Sequence, residues 1–322
     1  MKQVIFDTDI GIDDAMALLF LHFAQNVKLR AIVTGFGNAS LDDTTRNAVY
    51  VRERFGIHAD VYRGAEGPLG GSLFDSYPDF VHGTNGLGDI DLPDVDVSTA
   101  GSDGAQAIVD LVSSQPGEVS VVAVGRMTNV AKALELCPEL PDMVRELVIM
   151  GGAFGFNGHR GNVSPVAEAN IAGDPLAADL VFQSGIPTTI VGLDVTHEVI
   201  MDDVFFARLR ERGGDAGQFI YDISRHYLTF AESRTGMHAC AVHDSSAVAY
   251  LLAPELFETR PAGVRVVTDG PAMGQTVWSD PAADYQTGNW NELPALRICT
   301  GVNAAGLLDL YTDTLLSAID EA

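Results

Sequence analysis

The sequence predicts an α/β fold, a mostly parallel central sheet with helices on both faces and its active site at the carboxyl ends of the strands. Three observations lead there. Short apolar runs alternate with helical stretches along most of the 322 residues. The first run passes straight into a group of aspartates, where a strand end should meet a helix start. No repeat, linker or low-complexity tract divides the series, so residues 1–322 read as a single domain.

The opening strand, Val4-Ile5-Phe6, runs into Asp7-Thr8-Asp9-Ile10-Gly11-Ile12-Asp13-Asp14, and residues 15–21 then read as a buried helix. Asp7 and Asp9 are two apart and share one face of an extended strand end. Asp13 and Asp14 fall at the helix start, where the helix dipole favours negative charge, and Gly11 frees the backbone to turn. A single aspartate here would be an N-cap. With Asp13 as the cap, Met16 takes the N3 position and no capping box accounts for the cluster. Buried like charges repel, and a divalent cation removes the conflict. Ligation by carboxylates alone points to Ca²⁺ or Mg²⁺ rather than Zn²⁺.

A second strand at 29–33 ends in Thr34-Gly35-Phe36-Gly37-Asn38, where Asn38 is either a turn residue or a ligand-binding amide. Helix 47–55 and strand 60–63 complete the next step. Residues 64–103 break the rhythm with Gly, Pro and Asp, and a loop of this length is usually functional or disordered. Within it His82 is either a substrate contact or an exposed loop histidine. The alternation resumes with helix 104–114, strand 119–124, the turn Gly125-Arg126-Met127-Thr128-Asn129 with its helix, and strand 146–150. In the irregular stretch 151–173, Glu168 and Asn170 would face one side of an extended chain and suit a hydroxylated ligand such as a sugar. Helix 175–183, strand 188–193, helices at 204–212 and 218–234, and a helix from Asp244 to Leu252 follow. Strands at 263–268, 274–278 and 295–299 and a helix at 304–319 close the chain.

A net charge of −25 argues against nucleic acid and anionic membranes as partners and favours neutral or cationic small molecules. Cys137, Cys240 and Cys299 form neither a CxxC pair nor a zinc pattern, which fits a reducing compartment. With no signal-peptide pattern and no span-length apolar stretch, a cytoplasmic protein is expected.

Together the motifs resemble the inosine–uridine-preferring nucleoside hydrolase family. The run Asp7-Thr8-Asp9-x-Gly11-x-Asp13-Asp14-x-x-Ala17 is similar to its N-terminal signature. After it come, in order, Gly37-Asn38, His82-Gly83-x-x-Gly86, Thr128-Asn129, Met150-Gly151-Gly152, Gly161-Asn162, Glu168-x-Asn170-x-x-x-Asp174-Pro175 and His243-Asp244. The resemblance implies Ca²⁺ held by Asp9, Asp14, Asp244 and the Thr128 carbonyl, with a Ca²⁺-bound water as nucleophile and Asp9 as general base. It implies ribose contacts from Asp13, Asn38, Met150, Asn162, Glu168 and Asn170, and a leaving-group acid in His243. It also implies hydrolysis of ribonucleosides to ribose and free base, a role in nucleoside salvage, and dimers or tetramers. Ala169 stands where relatives often carry an aromatic residue, Ser245 replaces the proline after His-Asp, and residues 154–160 are longer than the common spacing. Trp278 and Trp290 lie outside the early loops, which favours an inosine–uridine or pyrimidine preference. A metal-dependent phosphohydrolase would leave Asp13-Asp14 unexplained and expects a lysine near the site, whereas the lysines are Lys2, Lys28 and Lys132. A non-catalytic nucleoside- or sugar-binding protein is the remaining alternative.

Overall fold

The computed structural model describes residues 1–71 and 76–320, so positions 72–75 of the long loop lie outside the described residues. In chain order the elements are β1 (Lys2–Thr8), α1 (Ile12–Phe23), β2 (Val27–Thr34), α2 (Leu41–Arg54), β3 (Asp60–Arg63), α3 (Asp79–His82), α4 (Gly104–Ser114) and β4 (Val119–Ala123). Next come α5 (Thr128–Leu136), β5 (Glu146–Met150), α6 (Ala169–Gly173), α7 (Pro175–Phe182), β6 (Thr188–Val191), α8 (Leu193–Thr196) and β7 (Ile200–Asp202). The rest are α9 (Asp203–Arg212), α10 (Gly214–Thr235), β8 (Ala239–Ala241), α11 (Asp244–Leu252), β9 (Phe257–Val266), β10 (Thr276–Ser279), β11 (Leu296–Val302) and α12 (Ala304–Asp320).

The main sheet has the order β10-β9-β11-β6-β5-β4-β1-β2-β3. From β11 to β3 every neighbouring pair is parallel, and β9 and β10 extend the sheet by antiparallel pairing. The expected mostly parallel sheet is therefore present. Its central strands β4, β5 and β6 are buried almost throughout because they are covered on both faces. Val4, Phe6, Ile32, Val122 and Val148 point into one core with residues of α1, α2, α10, α11 and α12. Ile5, Ala31, Val33, Val121, Leu147 and Ile149 point into the other, with residues of α4, α5 and α7. Alternation of side chains along each strand thus feeds two cores rather than one core and solvent.

Two departures from the sequence reading have physical causes. The strand expected at 263–268 begins at Phe257, because Glu258, Thr259, Arg260 and Pro261 mask its start although Pro261 pairs with Arg297. The antiparallel pair β7–β8 has three residues in each strand, too few to show a period. Among the described residues no helix is long and apolar enough to cross a membrane.

Candidate active site

Strand β1 ends at Thr8, and the aspartates that follow are buried at the carboxyl ends of the parallel strands. The helix cap is Gly11, neither Asp13 nor Asp14, which places Asp14 at N3. From there Asp14 Oδ2 accepts from the Gly11 amide at 2.8 Å and from Asn38 Nδ2 at 2.7 Å. Its Oδ1 accepts from Thr8 Oγ1 at 2.5 Å and from the Asp9 amide at 3.3 Å. A side chain at Gly11 would collide with His82 and Asn38, so the glycine is needed for close approach, while its extended backbone is open to any residue. Asn38 is accordingly a site amide, and its own N–H donates to Asp9 Oδ2 at 2.9 Å.

The other aspartates are left short of partners. Asp7 Oδ2, Asp9 Oδ1 and Asp13 Oδ1 are buried without a hydrogen bond. Ligand oxygens of Asp13, Asp14 and Asp244 lie within 4.8 Å of one another. Orphaned carboxylate oxygens beside a gathered trio fit a hard divalent cation, which would satisfy them and neutralise their charge. The trio takes in Asp13, expected among the ribose contacts, and does not include Asp9, expected as a ligand. Without a cation, burial and then the Asp14 charge push the Asp13 carboxyl up to about 8. Burial and its carboxylate neighbours likewise hold Asp9 and Asp244 well above the usual range.

Asp9 Oδ2 is instead paired with Arg126 Nη1 at 2.8 Å. The sequence reading passed over Arg126. A cation in the turn directly after β4, in so acidic a chain, was the available signal. Thr128 opens α5, so its carbonyl accepts within the helix, and its hydroxyl donates to Asp174 Oδ2 at 2.7 Å. The strand-end carbonyl next to the site is that of Val124, which accepts from Asn170 Nδ2 at 2.7 Å.

Glu168 has extended backbone, but Asn170 lies in helix α6 rather than in extended chain. Glu168 caps α6, accepting from the amides of Asn170 at 2.8 Å, Ile171 at 3.1 Å and Gly152 at 2.9 Å. Asn170 Nδ2 also meets the Met150 carbonyl at 3.2 Å and its sulfur at 3.5 Å, so these two residues are joined. Asn162 is exposed, and its Oδ1 accepts from the Ala169 amide at 3.0 Å.

His82 is buried at the end of α3 rather than exposed on a loop. Its Nδ1 accepts from the Ile12 amide at 3.2 Å, lies 3.9 Å from Asp13 Oδ1, and its ring stacks on Tyr227. His243 directly precedes Asp244, with Nδ1 2.9 Å from Thr196 Oγ1. Burial, aided by neighbouring cations or histidines, pushes both imidazoles down to about 3.

Comparison with known proteins places this geometry among relatives. The family model for inosine-uridine preferring nucleoside hydrolases matches residues 4–309. A probable uridine nucleosidase 1 of Oryza sativa subsp. japonica is 36% identical over 317 residues, 98% of this chain and 97% of its own. The non-specific ribonucleoside hydrolase RihC of Escherichia coli is 38% identical over 279 residues, 86% of this chain and 88% of its own. The solved structure of a plant nucleoside hydrolase, the PpNRh1 enzyme, superposes with a TM-score of 0.92 at 32% identity, covering 98% of this chain and 99% of that one.

Proposed function

The chain belongs to the inosine–uridine preferring nucleoside hydrolase family, and from that premise we propose that it hydrolyses ribonucleosides to ribose and free base with bound Ca²⁺, Asp9 as general base and His243 as leaving-group acid. The observation that carries the reading is the buried trio Asp13, Asp14 and Asp244 beside the orphaned oxygens of Asp9 and Asp13. When bound there, Ca²⁺ lowers the pKa of a coordinated water and draws in the ribose hydroxyls. Asp14, Asp244 and Asp13 are the carboxylates placed to hold it. The Val124 carbonyl suits the backbone position better than that of Thr128.

The residues divide the remaining work. Asp9 keeps one oxygen unpaired, which leaves it free to take a proton from water. Cleavage builds positive charge on the ribose, which Asp13 and Glu168 stabilise electrostatically. Asn38, Asn162, Asn170 and Met150 shape the sugar site, and His82 lines it from α3. The Thr196 hydroxyl fixes one nitrogen of His243, leaving the other for the departing base. Burial disfavours a charged His243, and negative charge developing on the base offsets that penalty in the transition state.

We assign the base preference to the uridine type. Trp278 packs against Phe156 and Arg260, and Trp290 against Tyr285, so each indole already has partners within the protein. Free thiols at Cys137, Cys240 and Cys299 suit nucleoside salvage in a reducing cytoplasm. The test is a panel of uridine, cytidine, inosine, adenosine and guanosine with 2′-deoxy controls, scored for free ribose. Uridine should be cleaved and deoxyuridine should not, because loss of a hydroxyl leaves a polar position unfilled. Equal cleavage of both sugars would remove the Ca²⁺–diol model. No cleavage of any member would favour a binding role.

A further inference from the structure

We propose that Arg126 is the positioning residue for Asp9, gripping Oδ2 so that Oδ1 is the oxygen left free to take a proton from the attacking water, an inference that rests on the function proposed above. Among the described residues, it is the one Lys or Arg in an ion pair with a carboxylate of the site. The grip is built on several sides. Nη1 lies 2.8 Å from Asp9 Oδ2, with the Arg and Asp side chains 10% and 1% exposed. The same nitrogen donates to the Phe36 carbonyl at 3.3 Å, and the guanidinium lies 5.1 Å over the Phe36 ring.

Two glycines make the slot. A Cβ at Gly37 would fall on Arg126 Nη1 and Asp9 Oδ2, and one at Gly173 would fall on Arg126 Nε. Stability does not explain the arrangement. Arg126 Nε is buried with no acceptor, and a buried ion pair with an unsatisfied N–H is a poor source of stabilisation. What the pair does supply is direction. Asn38 N–H and Arg126 both take Oδ2, and neither takes Oδ1, which stays unpartnered. A carboxylate held by one oxygen cannot rotate to exchange the two, so the free oxygen is defined before any ligand arrives.

The test compares wild type, Arg126→Met, Arg126→Lys and Gly173→Ala. It uses steady-state kinetics on a ribonucleoside that the wild type cleaves, calorimetric titration of Ca²⁺ into metal-stripped protein, and thermal melting. Arg126→Met should lower kcat roughly 10- to 100-fold, the usual scale for removing a group that orients a residue beside a metal site, with KM little changed and Ca²⁺ still bound. Arg126→Lys, which keeps the charge and a donor, should recover most of the loss. Gly173→Ala keeps the arginine but crowds it off Asp9, and should repeat the kcat loss. Wild-type kcat in Arg126→Met overturns the proposal. So does a kcat loss that comes with weakened Ca²⁺ binding and a lower Tm in both Arg126→Met and Gly173→Ala, since that pattern is structural support. If Arg126→Met fails to fold, Gly173→Ala decides by the same criteria. A wild type that neither cleaves ribonucleosides nor binds Ca²⁺ removes the underlying function instead.

Discussion

Removing divalent cations and raising the pH from about 5 to about 8 should destabilise the protein, and Asp7 sets the scale of the loss. Burial lifts its carboxyl from an ordinary 3.8 to about 7. Below 3.8 the group is protonated folded or unfolded, and its contribution is fully present. Between the two values the folded protein holds a proton that the unfolded chain has released. Above about 7 the group is ionised in both states and the contribution is gone. Over that pH interval the loss from Asp7 alone is about 3 kcal/mol, at ~1.4 kcal/mol for each pKa unit. For a chain of this length that lowers Tm by about 4 °C, taking ~2 cal/mol/K of unfolding entropy per residue. Asp9, Asp13 and Asp244 act in the same direction, and because they are coupled their losses do not simply add. Calcium should reverse the trend, since it needs the carboxylates ionised, so the Tm gained on adding it should grow with pH. Scanning calorimetry of stripped and Ca²⁺-loaded protein at both pH values gives the answer. The control is Asp7→Asn, which should recover about 3 kcal/mol of the stripped protein's loss. A stripped Tm that is flat or rises with pH would refute the reasoning. An unchanged slope in Asp7→Asn would show that general charge repulsion, not this carboxyl, is responsible.

Asp9→Asn should abolish turnover of the preferred ribonucleoside, and retained activity by a ribose assay would exclude Asp9 as the base. His243→Ala should slow inosine far more than p-nitrophenyl riboside, whose leaving group needs no proton; equal losses on the two would end the acid role. Asp244→Ala should weaken Ca²⁺ binding sharply by calorimetry, and an unaltered dissociation constant would separate the trio from the metal. Thr128→Val should cost about 1–3 kcal/mol of stability through the lost bond to Asp174, read by urea denaturation, with Ca²⁺ affinity unchanged.

The parts of the fold that could be read in advance are those where local pattern and tertiary role agree. Val4-Ile5-Phe6 is apolar throughout because it feeds both cores, and that is visible without coordinates. Phe257–Val266 hid its first half because Glu258, Thr259, Arg260 and Pro261 pair through backbone groups that their side chains do not advertise. At the site, the aspartate cluster showed itself by crowding. The use of each member did not. Gly11 rather than Asp13 caps α1, since Asp14 reaches back from N3, and a pattern of types cannot say which of two adjacent carboxylates turns inward. Arg126 was missed for a related reason. Its partner Asp9 lies 117 residues away, so nothing local marks the pair. Glu168 and Asn170 were recognised by residue type, but the extended chain ends at Glu168, whose side chain caps the five-residue helix α6 that carries Asn170.

The contact between α1 and α12 has a consequence for how the protein folds. Phe20 of α1 packs on Tyr311 of α12 with ring centroids 4.8 Å apart, and the Tyr311 hydroxyl donates to the Met16 carbonyl across 295 positions of sequence. The helix that carries Asp13 and Asp14 therefore relies for part of its cover on a segment 295 positions away. Asp244, the third member of the trio, is likewise distant in sequence. Until these segments dock, α1 exposes apolar surface and the three carboxylates lie apart. Such long-range closure slows folding and leaves intermediates open to association. The carboxylate trio is therefore assembled by long-range closure of the fold rather than by local structure.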